Sequence, residues 1–288
     1  MTDFLEQVVA ERRADVERAK ASVAEESLLA RARERAAARP RGTYERGDAR
    51  SFGDRFTSAL RALHGRLGVI AEVKRRSPAL GTLNAGVDPA SLALAYEGAG
   101  ATAVSVLTEP RHWGGSLEDL GAVSEAVRIP VLCKDVMVDE YQLVQARAAG
   151  ADAVLLIAEA LSDAELHRFI ARANSLGMGV LVEAHEPLAF GRAVAAGSLV
   201  VGVNARNLRR PSEIDVGRVR QLHTFAREGQ VLVAESGIDS VDDARLLPAR
   251  VDAVLIGTAL MRSNDPTPLI KGITAIRKRG FTTATVRP

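Results

Sequence analysis

The sequence lacks the features that mark secreted, zinc-binding and membrane proteins. It contains one cysteine, Cys133, in 288 residues, which excludes a disulfide framework and a zinc site built from several cysteines. No apolar run reaches the roughly 18 residues that a membrane span requires. The five histidines show no metal-ligand spacing, and residues 1–7 carry charges where a signal peptide has an apolar core. These absences predict a cytoplasmic protein that binds neither a membrane nor a metal.

An excess of charge of either sign is also missing. Lysine and arginine total 38 against 36 aspartate and glutamate residues, a formal net charge of +2. General nucleic-acid binding needs a strongly basic face, because contacts with the phosphate backbone dominate the affinity. The balance therefore argues against a nucleic-acid partner, although it allows a locally positive pocket. The hydrophobic share of 47% is enough for a sizeable core.

Residues 1–66 differ in pattern from the rest of the chain. Residues 3–38 are rich in alanine, arginine and glutamate and are predicted to be helical. Residues 40–50 carry proline and glycine and are predicted to form a loop, and a short helix is predicted from Phe52 to Leu63. Two interpretations of this extension stay open: a solvated helical appendage, or a cap over one end of the main domain.

From Leu67 onward, short β-branched apolar runs alternate with helical stretches. The eight runs lie at 67–73, 102–107, 129–133, 152–157, 178–183, 200–203, 230–234 and 252–256. Gly100, Gly150 and Gly197 are predicted to end helices. They recur about fifty residues apart, which leaves room for two strand–helix units in each interval. Eight such units span about 67–275.

Several of these helices have start signals in the sequence. Asp88 precedes Pro89, as an N-cap precedes proline at the first helical position. Ser162 with Glu165 has the spacing of a capping box. Aspartate also stands three residues after Ser116, Ser212 and Ser240. Each of these positions is predicted to begin a helix.

Eight alternating units are compatible with a doubly wound sheet or a closed barrel. Polar residues follow the ends of successive strands, and a barrel gathers those ends into one site. A doubly wound sheet favours a glycine-rich turn after its first strand, whereas residues 73–78 read Val-Lys-Arg-Arg-Ser-Pro. We therefore predict an α/β protein with a (β/α)8 TIM barrel at 67–275. Residues 1–66 are an N-terminal helical extension of the same domain, and residues 276–288 are a C-terminal tail.

Charged residues end the first, third and fifth predicted strands. Glu72 and Lys74 are two positions apart and face the same way, as a structural ion pair or as part of a reactive site. Lys134 and Glu183 each follow an apolar run. Burial is expected to lower the pKa of Lys134, which suits a general acid, and to raise the pKa of Glu183 unless a lysine neutralises it. Cys133 is expected to face the helix layer as a small buried hydrophobe.

Polar residues and glycines follow the last three strands. Asn204 and Arg206 share a face and either bind a carboxylate or hydroxyl groups or brace the loop, with binding favoured more strongly for Asn204. The loops after the seventh and eighth strands contain Ser236, Gly237, Gly257 and Thr258. These two loops commonly bind phosphate in barrels, so a phosphorylated small molecule is the predicted ligand. Trp113, after the second strand, either stacks on an aromatic substrate or seals the barrel rim.

Six ordered motifs resemble those of the indole-3-glycerol-phosphate synthase family. They are Glu72-Val73-Lys74 with Ser77-Pro78, Ser105-Val106-Leu107-Thr108-Glu109, Gly114-Gly115-Ser116, Leu132-Cys133-Lys134-Asp135, Val203-Asn204-Ala205-Arg206-Asn207-Leu208 and Ala234-Glu235-Ser236-Gly237. The resemblance covers about 67–275, and the N-terminal extension is similar to the family's extra segment. It implies a carboxy-lyase of tryptophan biosynthesis that needs no cofactor. The implied reaction converts 1-(2-carboxyphenylamino)-1-deoxyribulose 5-phosphate to indole-3-glycerol phosphate with loss of CO2 and water.

The resemblance also implies a role for each matched residue. Lys134 is expected to be the general acid for ring closure, and Glu183 is expected to assist the later loss of water. Lys74 is expected to contact the substrate carboxylate or transfer a proton, with Glu72 positioning it. Asn204 and Ser236 complete the expected catalytic set. The other expected substrate contacts are Ser77, Trp113, Leu155, Ile157, Arg206 and Glu235. The expected phosphate contacts are Ser77, Gly237, Gly257 and Thr258.

The chain departs from the family's usual residues at Trp113 and Val136, where phenylalanine is common, and at Ala79, where serine is frequent. Both aromatic departures fall where the substrate ring is expected to bind. The resemblance does not determine the oligomeric state, for which we expect a monomer or a weak homodimer.

Two other functions compete with this interpretation. A related barrel isomerase, such as phosphoribosylanthranilate isomerase, is expected to use a cysteine–aspartate acid–base pair, but here Cys133 is followed by Lys134. A paralogue that binds phosphorylated ligands without catalysis has no need of Lys74, Lys134 and Glu183 together. Turnover of the substrate distinguishes these possibilities.

Overall fold

Eight parallel strands close into a barrel in a computed structural model of the chain, which describes residues 3–38 and 54–278. The strands are β1 (Gly68–Val73), β2 (Ala103–Leu107), β3 (Val131–Lys134), β4 (Ala153–Ile157), β5 (Gly179–Ala184), β6 (Val200–Asn204), β7 (Val231–Glu235) and β8 (Ala253–Ile256). Because β1 pairs with both β2 and β8, the barrel sheet has no edge. The predicted barrel is confirmed and the doubly wound alternative is wrong. Each predicted apolar run overlaps one observed strand.

Helices precede the barrel and alternate with its strands. Before β1 lie α1 (Phe4–Ser22), α2 (Glu25–Ala38) and α3 (Arg55–Arg61). The later helices are α4 (Pro89–Gly98), α5 (Leu117–Ala126), α6 (Glu140–Ala148), α7 (Asp163–Ser175), α8 (Pro187–Ala195), α9 (Arg218–Leu222), α10 (Val241–Arg245), α11 (Thr258–Arg262) and α12 (Thr267–Thr274). The predicted loop at 40–50, the start of the helix predicted from Phe52, and tail residues 279–288 lie outside the described residues. No helix within the described ranges is long and apolar enough to cross a membrane.

Most of the predicted helix starts are confirmed by side-chain caps. Ser162 Oγ accepts from Glu165 N at 3.3 Å, and Glu165 Oε2 accepts from Ser162 N at 2.8 Å. Asp88, Ser116 and Ser240 accept in the same way from the backbone three residues on. The prediction at Ser212 is wrong. Asp215 N donates to Ala205 O at 2.8 Å, so this loop folds back on itself instead of starting a helix.

Alternate residues of the strands face two different apolar cores. Outward-facing residues such as Val69, Ala71 and Cys133 pack against the helix layer. Inward-facing residues such as Ile70 and Leu155 fill the barrel interior. This division follows from the period of two along a strand. It confirms the predicted direction of Cys133 and leaves the interior position after it, at the C-terminal end of β3, to a charged residue.

The N-terminal extension covers both ends of the barrel. Leu5 and Val8 of α1 are 4% and 1% exposed and belong to the apolar cluster of the barrel interior. Phe56 of α3 is fully buried in the same cluster, and Arg55 Nη1 donates to Asp152 Oδ1 at 3.0 Å, just before β4. Therefore α1 lies at the C-terminal mouth and α3 at the opposite end, where the strands begin. The interpretation of the extension as a cap is confirmed for α1.

Candidate active site

One pocket of about 490 Å³ opens at the C-terminal mouth of the barrel, beneath α1. The residues predicted for the site that line it are Glu72, Lys74, Ser77, Trp113, Lys134, Leu155, Ile157, Glu183, Asn204, Arg206, Glu235, Ser236, Gly237, Gly257 and Thr258. No residue predicted for the site lies away from this pocket. Barrel geometry explains the convergence, because the C-terminal ends of all eight strands meet at one face.

Two lysines and three carboxylates form the floor of the pocket. Glu72, Lys134, Glu183 and Glu235 are the last inward-facing positions of the four odd-numbered strands. Lys74 Nζ donates to Glu72 Oε1 at 2.5 Å. Lys134 Nζ lies 3.5 Å from Glu183 Oε2 and 3.8 Å from Glu235 Oε2. The three carboxylates outnumber the two ammonium groups at this level of the barrel, so the two lysines cannot balance them all.

This arrangement overturns the expected pKa shift of Lys134. Burial by itself lowers the pKa of this ammonium group. The carboxylates of Glu183, Glu235 and Glu72 outweigh that effect and raise the pKa above its ordinary value. The prediction of a lowered pKa is therefore wrong, because it considered burial without the three carboxylates that other strands bring to the same place. Lys134 stays protonated through the neutral range.

Two of the carboxyl groups have pKa values shifted in opposite directions. Burial raises the pKa of Glu235 well above its ordinary value, and the nearby Glu183 carboxylate adds to the effect. Neither carboxyl oxygen of Glu235 has a hydrogen-bond partner among the described residues. Burial also acts on Glu72, but Lys74 and Lys134 outweigh it and hold the pKa of Glu72 below its ordinary value. Such a divided pair is typical of acid–base sites, with Glu72 ionised and Glu235 the readier to hold a proton.

Asn204, at the end of β6, orients the polar groups on one side of the pocket. Its Nδ2 donates to Glu183 Oε2 at 3.2 Å. Its Oδ1 accepts from Ser236 Oγ and from Arg206 N, both at 2.9 Å. Its carbonyl oxygen contacts Nδ1 of the buried His185 at 2.8 Å. Sequence reasoning missed His185, which braces the backbone of Asn204 from outside the pocket.

The loops after β7 and β8 have the geometry of an anion site, and the first of them contacts Asn204 through Ser236 Oγ. Ser236 and Gly237 have φ angles of +67° and +70°, a left-handed conformation that a serine rarely adopts. Backbone strain of this kind is concentrated at functional sites. Gly257 and Thr258 begin α11, and Ser77 is buried nearby at the pocket wall. Free backbone N–H groups at a helix start and a tight turn can together bind a phosphate group.

Trp113 lines the pocket and also packs against the N-terminal helix. Its ring lies 6.0 Å from that of Phe4 and 6.1 Å from that of His112, each in an edge-to-face arrangement. Glu109 orients this loop by accepting from His112 N at 2.6 Å and Trp113 N at 3.1 Å. The two interpretations of Trp113 are therefore compatible, since the residue packs against α1 at the rim and also lines the pocket.

The apolar wall includes residues that the sequence analysis did not assign to the site. Leu5 and Val8 reach the pocket from α1, and Val136 reaches it from the loop after β3. The sequence predicts a helix here, but the helical pattern does not say against which surface its apolar residues pack. Val136 was noted only as a departure from phenylalanine. The small side chain of Val136 lies in the same apolar cluster as Leu5 and Val8.

Cys133 lies outside the pocket. Its thiol points into the outer core and contacts Thr108 Oγ1 at 3.4 Å. Burial, reinforced by the Asp135 carboxylate, raises the pKa of Cys133 to about 12. A thiol that faces away from the pocket and stays protonated cannot serve in a cysteine–aspartate acid–base pair, and this removes the basis for the isomerase alternative.

Comparison with known proteins agrees with this geometry. A family model described as indole-3-glycerol phosphate synthase matches residues 5–273. The chain is 49% identical over 221 residues to the indole-3-glycerol phosphate synthase of Micrococcus luteus, covering 74% of this chain and 82% of that protein. It is 40% identical over 267 residues to that of Laribacter hongkongensis, covering 92% and 97%. Its fold is similar to that of thiamine phosphate pyrophosphorylase from Pyrococcus furiosus, with a TM-score of 0.54, 19% identity and coverage of 73% and 95%. The chain belongs to the indole-3-glycerol phosphate synthase family, carboxy-lyases of tryptophan biosynthesis.

Proposed function

We propose that this pocket converts 1-(2-carboxyphenylamino)-1-deoxyribulose 5-phosphate to indole-3-glycerol phosphate, with release of CO2 and water. The observation that carries the proposal is the contact of Lys134 with Glu183 and Glu235 on the pocket floor, between an apolar wall and a phosphate-type turn. Ring closure and dehydration both require proton transfers at adjacent atoms. This cluster supplies the Lys134 ammonium as an acid and two carboxylates as bases, each within 4 Å of that ammonium.

We assign each part of the substrate to a separate region of the pocket. The phosphate is placed at the turns that contain Ser236, Gly237, Gly257, Thr258 and Ser77. The aromatic ring is placed against Leu155, Ile157 and Trp113, beneath the apolar face of α1. Between these regions, the ammonium of Lys74 and the guanidinium of Arg206 are suited to the substrate carboxylate. This orientation brings the ketone of the sugar chain over the charged floor.

Ring closure is the step assigned to Lys134. The ring carbon that carries the carboxylate attacks the ketone carbon, and the carbonyl oxygen takes a proton from the Lys134 ammonium. The raised pKa of Lys134 keeps this group in the protonated form that the step requires. The carboxylate then leaves as CO2, and the electrons of its bond restore the aromatic ring. Glu235, whose pKa is raised, is placed to return a proton to Lys134.

Loss of water is the step assigned to Glu183. The hydroxyl formed in ring closure takes up a proton and leaves as water. The neighbouring carbon that is bonded to nitrogen loses a second proton, and the double bond of the indole ring forms. We assign that second proton to Glu183, because Asn204 and Lys134 hold its carboxylate at the pocket floor. We assign the proton that the leaving hydroxyl takes up to the Lys74 ammonium, which is paired with Glu72. These assignments divide the acid and base work among four strand ends, those of β1, β3, β5 and β7.

Turnover of the proposed substrate tests this function directly. The purified protein is incubated with the carboxyphenylamino-deoxyribulose phosphate, and the indole product is followed by its fluorescence. We expect indole and CO2 in equal amounts. A folded protein that binds this substrate without forming either product would overturn the proposal and favour the binding paralogue.

A methyl group at Gly257 is expected to disturb the ion pair and the phosphate turn together. An added Cβ would lie 2.1 Å from Glu72 Oε1 and 3.0 Å from Lys74 Nζ. A displacement of roughly 1 Å at an active site can cost about 10²-fold in rate, and we expect Gly257→Ala to lower kcat/KM by that order. Gly191→Ala is the matched control, because nothing lies within 4 Å of a Cβ at this position in α8. Equal steady-state kinetics for the two variants would contradict the close approach at Gly257.

We also propose that the enzyme is cytoplasmic and active as a monomer or weak homodimer. A cytoplasmic location is supported by the proposed substrate, which is a phosphorylated biosynthetic intermediate. The proposed oligomeric state is supported by α1, which belongs to the same chain as the barrel and covers the pocket through Leu5 and Val8. For the same reason we propose that residues 1–66 belong to one domain with the barrel at 67–275.

A further inference from the structure

Arg12 of α1 is paired with the residue that directly follows Lys134. Arg12 Nε and Nη2 donate to Asp135 Oδ1 and Oδ2, each at 2.9 Å, across 123 residues of sequence. The two side chains are only 12% and 4% exposed. Planar two-point pairing with a carboxylate is specific to arginine, because a lysine ammonium cannot match both oxygens in this way. Asp135 directly follows Lys134.

The Asp135 carboxylate connects three parts of the molecule. Besides Arg12, it accepts from Thr108 Oγ1 at 2.8 Å and from Val136 N at 2.7 Å. These partners belong to α1, to the loop after β2 and to the loop after β3. Burial raises the pKa of Asp135, and the Arg12 guanidinium opposes that rise. Without Arg12, a buried carboxylate would lose its only paired cation among the described residues.

We propose that Arg12 is a positioning residue for the general acid. By holding Asp135, it holds the backbone at the end of β3, and this directs the Lys134 ammonium toward the ketone of the substrate. The same helix lines the pocket through Leu5 and Val8, so contacts between the substrate and α1 reinforce the position of the acid. This inference rests on the role proposed above for Lys134.

Several other ion pairs attach α1 to the barrel, and two of them serve for comparison with Arg12. Lys20 Nζ lies 2.7 Å from Asp139 Oδ2, and Arg111 Nη2 lies 2.6 Å from Asp15 Oδ1. The Lys20 and Arg111 side chains are both more exposed to solvent than that of Arg12. Asp139, at the start of α6, and Arg111, in the loop after β2, do not directly follow the last residue of a strand. These two ion pairs can keep α1 attached to the barrel when Arg12 is changed. The effect of Arg12 on the acid can therefore be separated from attachment of the helix.

Arg12→Met and Lys20→Met form a matched pair that tests the inference. Each removes one cation of α1, but only the first is bonded beside Lys134. We expect Arg12→Met to lower kcat on the order of 10–100-fold, with a KM no higher than that of Lys20→Met. Lys20→Met is expected to keep kcat within about twofold of the unaltered enzyme. If both variants lose the same amount of kcat, Arg12 does not position the acid.

A second variant covers the case in which Arg12→Met folds poorly. Arg12→Met combined with Asp135→Asn removes both charges, so no unpaired ion stays buried. We expect the thermal midpoint to recover toward that of the unaltered enzyme while kcat stays low. Recovery of kcat together with the midpoint would show that Arg12 serves stability alone. The unaltered enzyme is assayed alongside. Its failure to form indole would refute the proposed function, whereas normal turnover of both it and Arg12→Met would refute this inference only.

Discussion

Replacing Lys134 with methionine is expected to lower kcat by about 10²–10⁴-fold, the usual loss when a general acid is removed. Methionine keeps much of the apolar stem and loses only the ammonium that contacts Glu183 and Glu235. Substrate affinity is expected to change less, since the phosphate turn and the apolar wall are untouched. Single-turnover rates of indole formation, combined with a binding titration of the same substrate, separate the two effects.

Lys278→Met is the control for this substitution. Lys278 also has a largely buried ammonium paired with a carboxylate, that of Asp252, but it lies near the start of β8, at the other end of the barrel. This control is expected to lower the thermal midpoint and to leave kcat unchanged. If Lys134→Met keeps kcat within tenfold of the unaltered enzyme, Lys134 is not the proton donor in ring closure.

Glu183→Gln is expected to separate the two products of the reaction in time. The proposed role of Glu183 begins after CO2 has left, so ring closure and decarboxylation should continue while dehydration slows. Removal of a catalytic base costs on the order of 10²–10⁴-fold. We therefore expect a burst of CO2 that precedes indole fluorescence, measured on the same sample at enzyme concentrations near that of the substrate.

Glu159→Gln is the matched control for that experiment. Glu159 Oε1 accepts from His185 N at 2.7 Å and from Glu186 N at 2.9 Å, in the loop that follows β5. A glutamine carbonyl oxygen can accept both bonds, so CO2 and indole should still appear together at the unaltered rate. If indole and CO2 appear together in Glu183→Gln at the rate of the unaltered enzyme, Glu183 does not take part in the dehydration step.

Local patterns in the chain were enough to predict the barrel and the polar residues at its strand ends that line the pocket, but not the apolar residues that α1 adds. Apolar runs, and glycines such as Gly100 and Gly150 with φ angles of +94° and +99°, mark strands and helix ends through interactions between near neighbours. Parallel strands then bring their C-terminal ends to one face, so residues such as Glu72 and Glu183 could be placed together without coordinates. The reaction was inferred from the family motifs, which contain these strand-end residues in the same order along the chain.

Contacts between distant segments set the electrostatics, which no local pattern contains. The pKa of Lys134 rises instead of falling because carboxylates from three other strands surround it. Arg12 meets Asp135 across 123 residues, and only the docking of α1 on the barrel mouth creates that pair. Ser212 has the spacing of a cap but starts no helix, since Asp215 bonds to the far side of its loop. In each case the energy of the interaction between the two groups depends on the distance between them in space, and their spacing along the chain does not determine that distance.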